Sequence, residues 1–181
     1  MAELDIWEIN ADMLVKVIQN CVHLCKLTVR YKITDLSDNT SLSLHQITNF
    51  TFTGDDTIHF VRLLELMLNL KELDFSTPSK YSSYHNELLN YLQNMKLEHL
   101  IVYDYENALN LKKSFVENGE LSNNLKTLTI RSGCRLIVAD VELIMENCKK
   151  LSKFVLNKHN HAEIFNKIEQ NGFPRTLLCL K

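Results

Sequence analysis

Cys21, His23 and Cys25 are the residues whose types and spacing come closest to a chemical site, because strict alternation in an extended segment would bring their side chains to one side. His159 and His161 could join them only from far along the chain, and Cys134, Cys148 and Cys179 stand singly. A catalytic thiolate needs a cation or a base beside it, and no basic neighbour is set by the sequence. The four glycines are scattered, so no loop is built to cradle a phosphate. The chain also has no Gly-x-Ser-x-Gly elbow, no Cys-x-x-Cys pair and no His-Glu-x-x-His helix. His159-Asn160-His161 reads more simply as a polar turn at a helix start. The sequence therefore assigns no catalytic residue, no metal ligand and no cofactor, and the expectation is a protein that is not an enzyme.

Bulk properties narrow the field further. A formal charge of −2 over 181 residues gives no broad electrostatic pull toward nucleic acid or an anionic membrane. Hydrophobic content of 45% and charged content of 23% suit a single domain over residues 1–181, long enough to bury a core. Met1-Ala2-Glu3-Leu4-Asp5 is acidic where a secretory leader needs a basic start and an apolar run. No apolar stretch approaches the ~20 residues of a membrane-spanning helix. With an odd count of five cysteines, the expectation is a cytoplasmic or nuclear protein with reduced thiols and no membrane partner.

What must position any site is a repeated unit. Leu24, Leu27 and Val29 share a spacing, a, a+3 and a+5, that returns along the chain. The later copies are Ile47, Phe50 and Phe52; Leu70, Leu73 and Phe75; Leu97, Leu100 and Val102; Leu125, Leu128 and Ile130; and Leu151, Phe154 and Leu156. Successive first positions lie roughly 23, 23, 27, 28 and 26 residues apart, within the ~20–29 residue period of stacked strand-and-helix units. One unit cannot cover its own apolar side. A buried Leu or Phe contributes on the order of 1.5–3 kcal/mol only once a neighbour closes over it, so the units must occur together.

Two phrases carry a family resemblance. Cys21-Val22-His23-Leu24-Cys25-Lys26-Leu27-Thr28-Val29, followed shortly by Ile33-Thr34-Asp35, resembles the cysteine-containing leucine-rich repeat of F-box proteins, and Cys148-Lys149-Lys150-Leu151-Ser152-Lys153-Phe154-Val155-Leu156 repeats its first half. The pattern is divergent: its cysteine position holds Leu44, Met67, Asn94 and Ser122 in the other copies, and Lys32, Asp55, Pro78 and Tyr105 stand where the family has Asn or Cys after the strand. The resemblance covers roughly residues 20–157. It implies an α/β solenoid of about six or seven irregular leucine-rich repeats, parallel strands inside and helices outside. It also implies that Cys21 and Cys148 are buried, unreactive residues at helix ends.

Between the strands, residues 58–68 are expected as a helix behind an Asp55-Asp56 cap, with Phe60, Val61, Leu64, Met67 and Leu68 on its apolar face. A shorter helix begins near Ser83 or Tyr84, a third spans 107–117 and stops at Asn118-Gly119, a fourth runs from Ala139-Asp140 to Met145, and a fifth covers 161–170. Residues 76–83 are expected as a loop and 176–180 as a seventh strand. At the start, Ile6, Ile9, Met13, Leu14, Val17 and Ile18 fall on one stripe with Asp5, Glu8, Asp12 and Lys16 on the wet side, which predicts a helix within 1–19 spanning 3–19. It would cap the open end of the repeats in 20–181, or belong to a repeat whose strand lies upstream and is missing from this sequence.

If a, a+3 and a+5 face the core, then a+2, a+4 and a+6 point outward from the sheet. The candidate partner-binding residues on that strand face are Arg30, Glu72, Asp74, His99, Ile101, Tyr103, Arg131 and Lys153. Aromatic and arginine side chains are frequent anchors of protein contacts. The expected function is a non-catalytic protein-protein interaction module with a protein partner on the parallel-sheet face and no nucleic acid. The resemblance implies the substrate-recognition part of an F-box-type ubiquitin ligase, although an F-box of roughly forty residues has no room before residue 20. The alternative is a structural or assembly adaptor subunit of a larger intracellular complex.

Overall fold

The computed structural model describes residues 2–34, 43–54, 57–76, 85–103, 115, 119–131, 138–156 and 178–180. Eight strands, β1 (Ala2–Asn10), β2 (Leu24–Thr34), β3 (Asn49–Thr53), β4 (Glu72–Ser76), β5 (His99–Tyr103), β6 (Thr127–Arg131), β7 (Lys153–Leu156) and β8 (Leu178–Leu180), form one sheet in chain order. Every neighbouring pair is parallel. Parallel neighbours need a crossover, and helices supply several of them. The described helices are α1 (Ala11–Asn20), α2 (Thr57–Leu66), α3 (His85–Gln93), α4 (Glu120–Asn124) and α5 (Val138–Asn147). This is an α/β fold with an all-parallel open sheet of solenoid-like order.

The apolar spacing becomes register. Leu27, Phe50, Leu73, Leu100, Leu128, Phe154 and Leu178 stand opposite one another from β2 to β8, and so do Val29, Phe52, Phe75, Val102, Ile130, Leu156 and Leu180. A slip of one residue would turn a whole row outward, so burial of one side pins the pairing. The backbone repeats with it. The carbonyl of Thr48 accepts from the N–H groups of Lys71 and Glu72, that of Lys71 from Glu98 and His99, that of Glu98 from Lys126 and Thr127, and that of Lys126 from Ser152 and Lys153, all at 2.8–3.1 Å.

Helices and inward rows share a single core on one side of the sheet, where Leu14, Ile18, Phe60, Leu64, Leu88, Leu92, Leu121, Val141 and Ile144 pack with the strand residues. Phe60 of α2 stacks on Phe52 at 4.6 Å between centroids and lies 5.6 Å from Phe75, tying β3, α2 and β4 together. Tyr91 of α3 donates its hydroxyl to the Leu64 carbonyl at 3.1 Å.

The N-terminal segment departs from expectation. Residues 3–19 are not one helix: β1 occupies the first part and α1 begins at Ala11, where the Asn10 side chain accepts the Met13 N–H at 3.2 Å. Ile6 and Ile9 fit a helical stripe, but they fit a strand equally once β1 shifts register between Ile6 and Glu8. Leu4, Ile6 and Ile9 then pack toward the core, while Trp7 is 73% exposed. The deciding interaction is nonlocal, since the edge of β2 supplies hydrogen-bond partners along residues 2–10. Neither role expected for a 3–19 helix holds as stated: the strand that precedes α1 is not missing but is β1, formed by the first residues of that same segment.

Smaller corrections follow from packing. Helix α2 ends at Leu66, so Leu68 lies beyond it and is exposed. Gly119 is the N-cap residue of α4, which begins at Glu120. The helices expected over 107–117 and 161–170 lie outside the described residues, apart from the buried Phe115, and so does the loop expected over 76–83 except for Ser76, which is the last residue of β4. The expected seventh strand is β8, with Leu178 opposite Phe154.

The burial implied for the two cysteines divides. Cys148 is buried, and loss of hydration pushes its thiol up to about 12, with a hydrogen bond to Ser122 acting in the opposite direction. Cys21 is exposed. Ser122 occupies the same position one unit earlier and helps cover Cys148, whereas no described unit precedes α1 to do the same for Cys21.

Candidate functional site

The outward rows follow from the same register. Lys26, Asn49, Glu72, His99, Thr127 and Lys153 lie opposite one another across β2 to β7, and Thr28, Thr51, Asp74, Ile101, Thr129 and Val155 form the next row. A third row runs through Thr53, Ser76, Tyr103 and Arg131. Strands β3 to β5 alternate buried and half-buried residues, so the outward side is partly shielded by its own side chains.

That shielding corrects the openness expected of the middle row. Thr28 and Val155 are buried, and Asp74 and Ile101 are half-buried. The middle row lies between the other two outward rows of the same sheet face. Arg30, Arg131 and Lys153 are exposed, whereas Glu72, His99 and Tyr103 are half-buried.

The structure brings six candidates onto adjacent strands: Glu72 and Asp74 on β4, His99, Ile101 and Tyr103 on β5, and Arg131 on β6. Lys153 follows on β7. The Arg131 guanidinium sits over the Tyr103 ring, 4.7 Å from its centroid. Glu72 accepts a hydrogen bond from the Asn49 amide at 2.7 Å, and Asn49 in turn accepts from the Thr48 hydroxyl at 2.8 Å. Asp74 is different: its Oδ1 is buried and has no hydrogen-bond partner. Desolvation pushes its carboxyl above the ordinary value of 3.8, the charge of Arg131 pulls it back, and that of Glu72 adds to the rise.

Arg30 stands apart from this group. It donates to Asp5 through Nε and Nη2 at 2.9 and 2.7 Å, which raises its own value and lowers that of Asp5 through the paired hydrogen bond. Beside it, Lys26 meets Glu3 at 2.7 Å. Neither Glu3 nor Asp5 is recognised when residues 3–19 are read as a helix. The signal was the alternation Glu3-Leu4-Asp5-Ile6-Trp7 ahead of the capping residue Asn10. Glu98, also unanticipated, lies 2.6 Å from Lys126 and 3.7 Å from Lys71, and the Lys126 hydrogen bond holds its carboxyl below the usual range.

Comparison with protein families, curated proteins and solved structures finds no match to this chain in any of the three. The geometry must carry the functional reading by itself.

The cysteine and histidine trio does not share a strand. Cys21 and His23 precede β2, with His23 in a turn, while Cys25 lies within β2 and its thiol points to the Ala2 carbonyl at 3.5 Å. The alternation that would have grouped the three side chains is therefore absent. No described helix is long and apolar enough to cross a membrane.

Proposed function

We propose that this chain is a non-catalytic protein-binding module that meets its partner with the outward side of the parallel sheet, through Arg30, Glu72, Asp74, His99, Ile101, Tyr103, Arg131 and Lys153. The observation that supports this most is the one-sided sheet. Helices and inward rows share one core, while most of the outward residues on β3 to β6 stay half-exposed and ordered by register. A surface already in place costs little ordering when a partner docks. The aligned apolar positions and the Cys21 and Cys148 phrases support a narrower reading, in which the units are F-box-type leucine-rich repeats. The chain would then serve substrate recognition for a ubiquitin ligase in the cytoplasm or nucleus.

A second reading, an assembly adaptor, is favoured by β1. Nine residues of outermost strand with Trp7 at 73% exposure offer another chain a place to add. Photo-crosslinking amino acids placed at Thr129 on the sheet side, Trp7 at the outer strand and Glu146 on α5 separate these readings in living cells. Adducts from Thr129 support the sheet-side reading, and ubiquitin-ligase subunits among the captured proteins support its narrower form. Adducts confined to Trp7 favour the adaptor; adducts only at Glu146 count against both.

A further inference from the structure

Charge on the outward side is closed in one place and open in another. Lys26 and Arg30 are spent on Glu3 and Asp5. On β4, Glu72 is bonded to a neutral amide, and no cation lies within ion-pair distance of Glu72 or Asp74 among the described residues. Two strands further on, Arg131 rests on the Tyr103 ring, which takes none of its N–H donors into an ion pair. The side of the sheet therefore presents a negative pair and a positive group at fixed separation. With strands about 4.8 Å apart and a rise of about 3.3 Å per residue, the Cα atoms of Asp74 and Arg131 lie roughly 12 Å apart along a diagonal, close enough for the Arg131 charge to be felt at Asp74. An extended peptide covers that distance in three or four residues.

We propose that this diagonal holds an extended segment of a partner protein, laid across β4, β5 and β6, with a lysine or arginine seated on Glu72 and Asp74 and an aspartate or glutamate on Arg131. The unpartnered Asp74 Oδ1 is the strongest mark of the cationic position, because a buried carboxylate oxygen without a donor is a standing deficit that an incoming N–H would remove. The raised carboxyl of Asp74 agrees with a site short of donors and positive charge. Ile101, half-buried directly opposite Asp74 on β5, gives the segment an apolar floor beside the cationic position. Lys126 and Glu98 do not compete, since they neutralise each other.

This inference rests on the sheet-side reading, and one experiment separates the two. Random twelve-residue peptides displayed on phage are selected on the whole chain, on the Glu72→Gln/Asp74→Asn variant and on the Arg131→Gln variant. The parent should enrich peptides with a basic residue three or four positions from an acidic one. The β4 variant should lose the basic preference and keep the acidic one; the Arg131 variant should do the reverse. A salt titration on the unmodified chain reads the same dependence without any substitution: selected peptides should bind at least about fivefold more weakly at 500 mM than at 50 mM salt. Enrichment without the paired charges, identical pools from all three proteins, salt-insensitive binding, or no binders at all overturns the proposal. Peptides that lack the pairing yet crosslink at Thr129 overturn it while leaving the sheet-side reading standing, and peptides that bind without crosslinking there sink both.

Discussion

At the first end of the sheet, Glu3 and Lys26, and Asp5 and Arg30, meet across β1 and β2, so that each of these four outward charges ends against its opposite. In the middle, β4 to β6 carry Glu72, Asp74 and Arg131 with an amide, an empty oxygen and an aromatic ring as their neighbours. Both regions lie on the same layer of inward leucines and phenylalanines. The difference teaches that the outward side is free to vary in what it offers because it is not what holds the units together. Exposed ion pairs contribute little to stability, whereas a desolvated carboxylate without a donor costs some. The middle is thus arranged less favourably for the isolated chain than the end is, as expected of a surface that works by contact with something else.

The widest contrast between the first end of the sheet and the interior should appear in thiol chemistry. With its thiol near 12, Cys148 holds on the order of 10⁻⁴ thiolate at pH 8. Iodoacetamide followed by peptide mass spectrometry should modify exposed Cys21 in the native protein and Cys148 only after denaturation; equal labelling would mean that the core between α5 and β7 is as open as the turn before β2. Next comes the shared core. Leu128→Ala, at a fully buried position, should lower stability by ~2–5 kcal/mol in urea unfolding, and a loss within about half a kcal/mol would remove the inward row from the argument.

On the outward side the sign should reverse. Asp74→Thr supplies the residue type already used by Thr51 and Thr129 in the same row, and should raise stability by about 1 kcal/mol at pH 7. Because the folded value of Asp74 lies above the unfolded one, the folded protein holds more protons in that interval. The penalty is therefore fully present above the folded value and relieved below about pH 3.8, so the gain from Asp74→Thr should shrink on acidification; a gain that grows in acid would contradict the assigned direction. Smallest of all, Asp5→Ala should leave the melting temperature within experimental scatter at moderate salt, since both partners of its ion pair are exposed. A loss as large as that of Leu128→Ala would show that the end, too, depends on its outward charges.

By itself the sequence determined the inward rows. Positions a, a+3 and a+5 are read from residue type alone, and a period-two strand with one apolar side has only one register that keeps every copy buried, so Leu27 through Phe154 line up as the spacing demands. What only the tertiary structure decided depends on neighbours far along the chain. Residues 2–10 suit a helical stripe or a bulged strand, and the hydrogen-bonding edge of β2 settles the matter. Cys21 and Cys148 occupy the same local phrase, and the preceding unit covers only the second. Arg30 and Arg131 occupy equivalent strand positions, yet one is tied to Asp5 while the other rests on Tyr103, because the identity of the adjacent strand is a property of the stack and not of the segment.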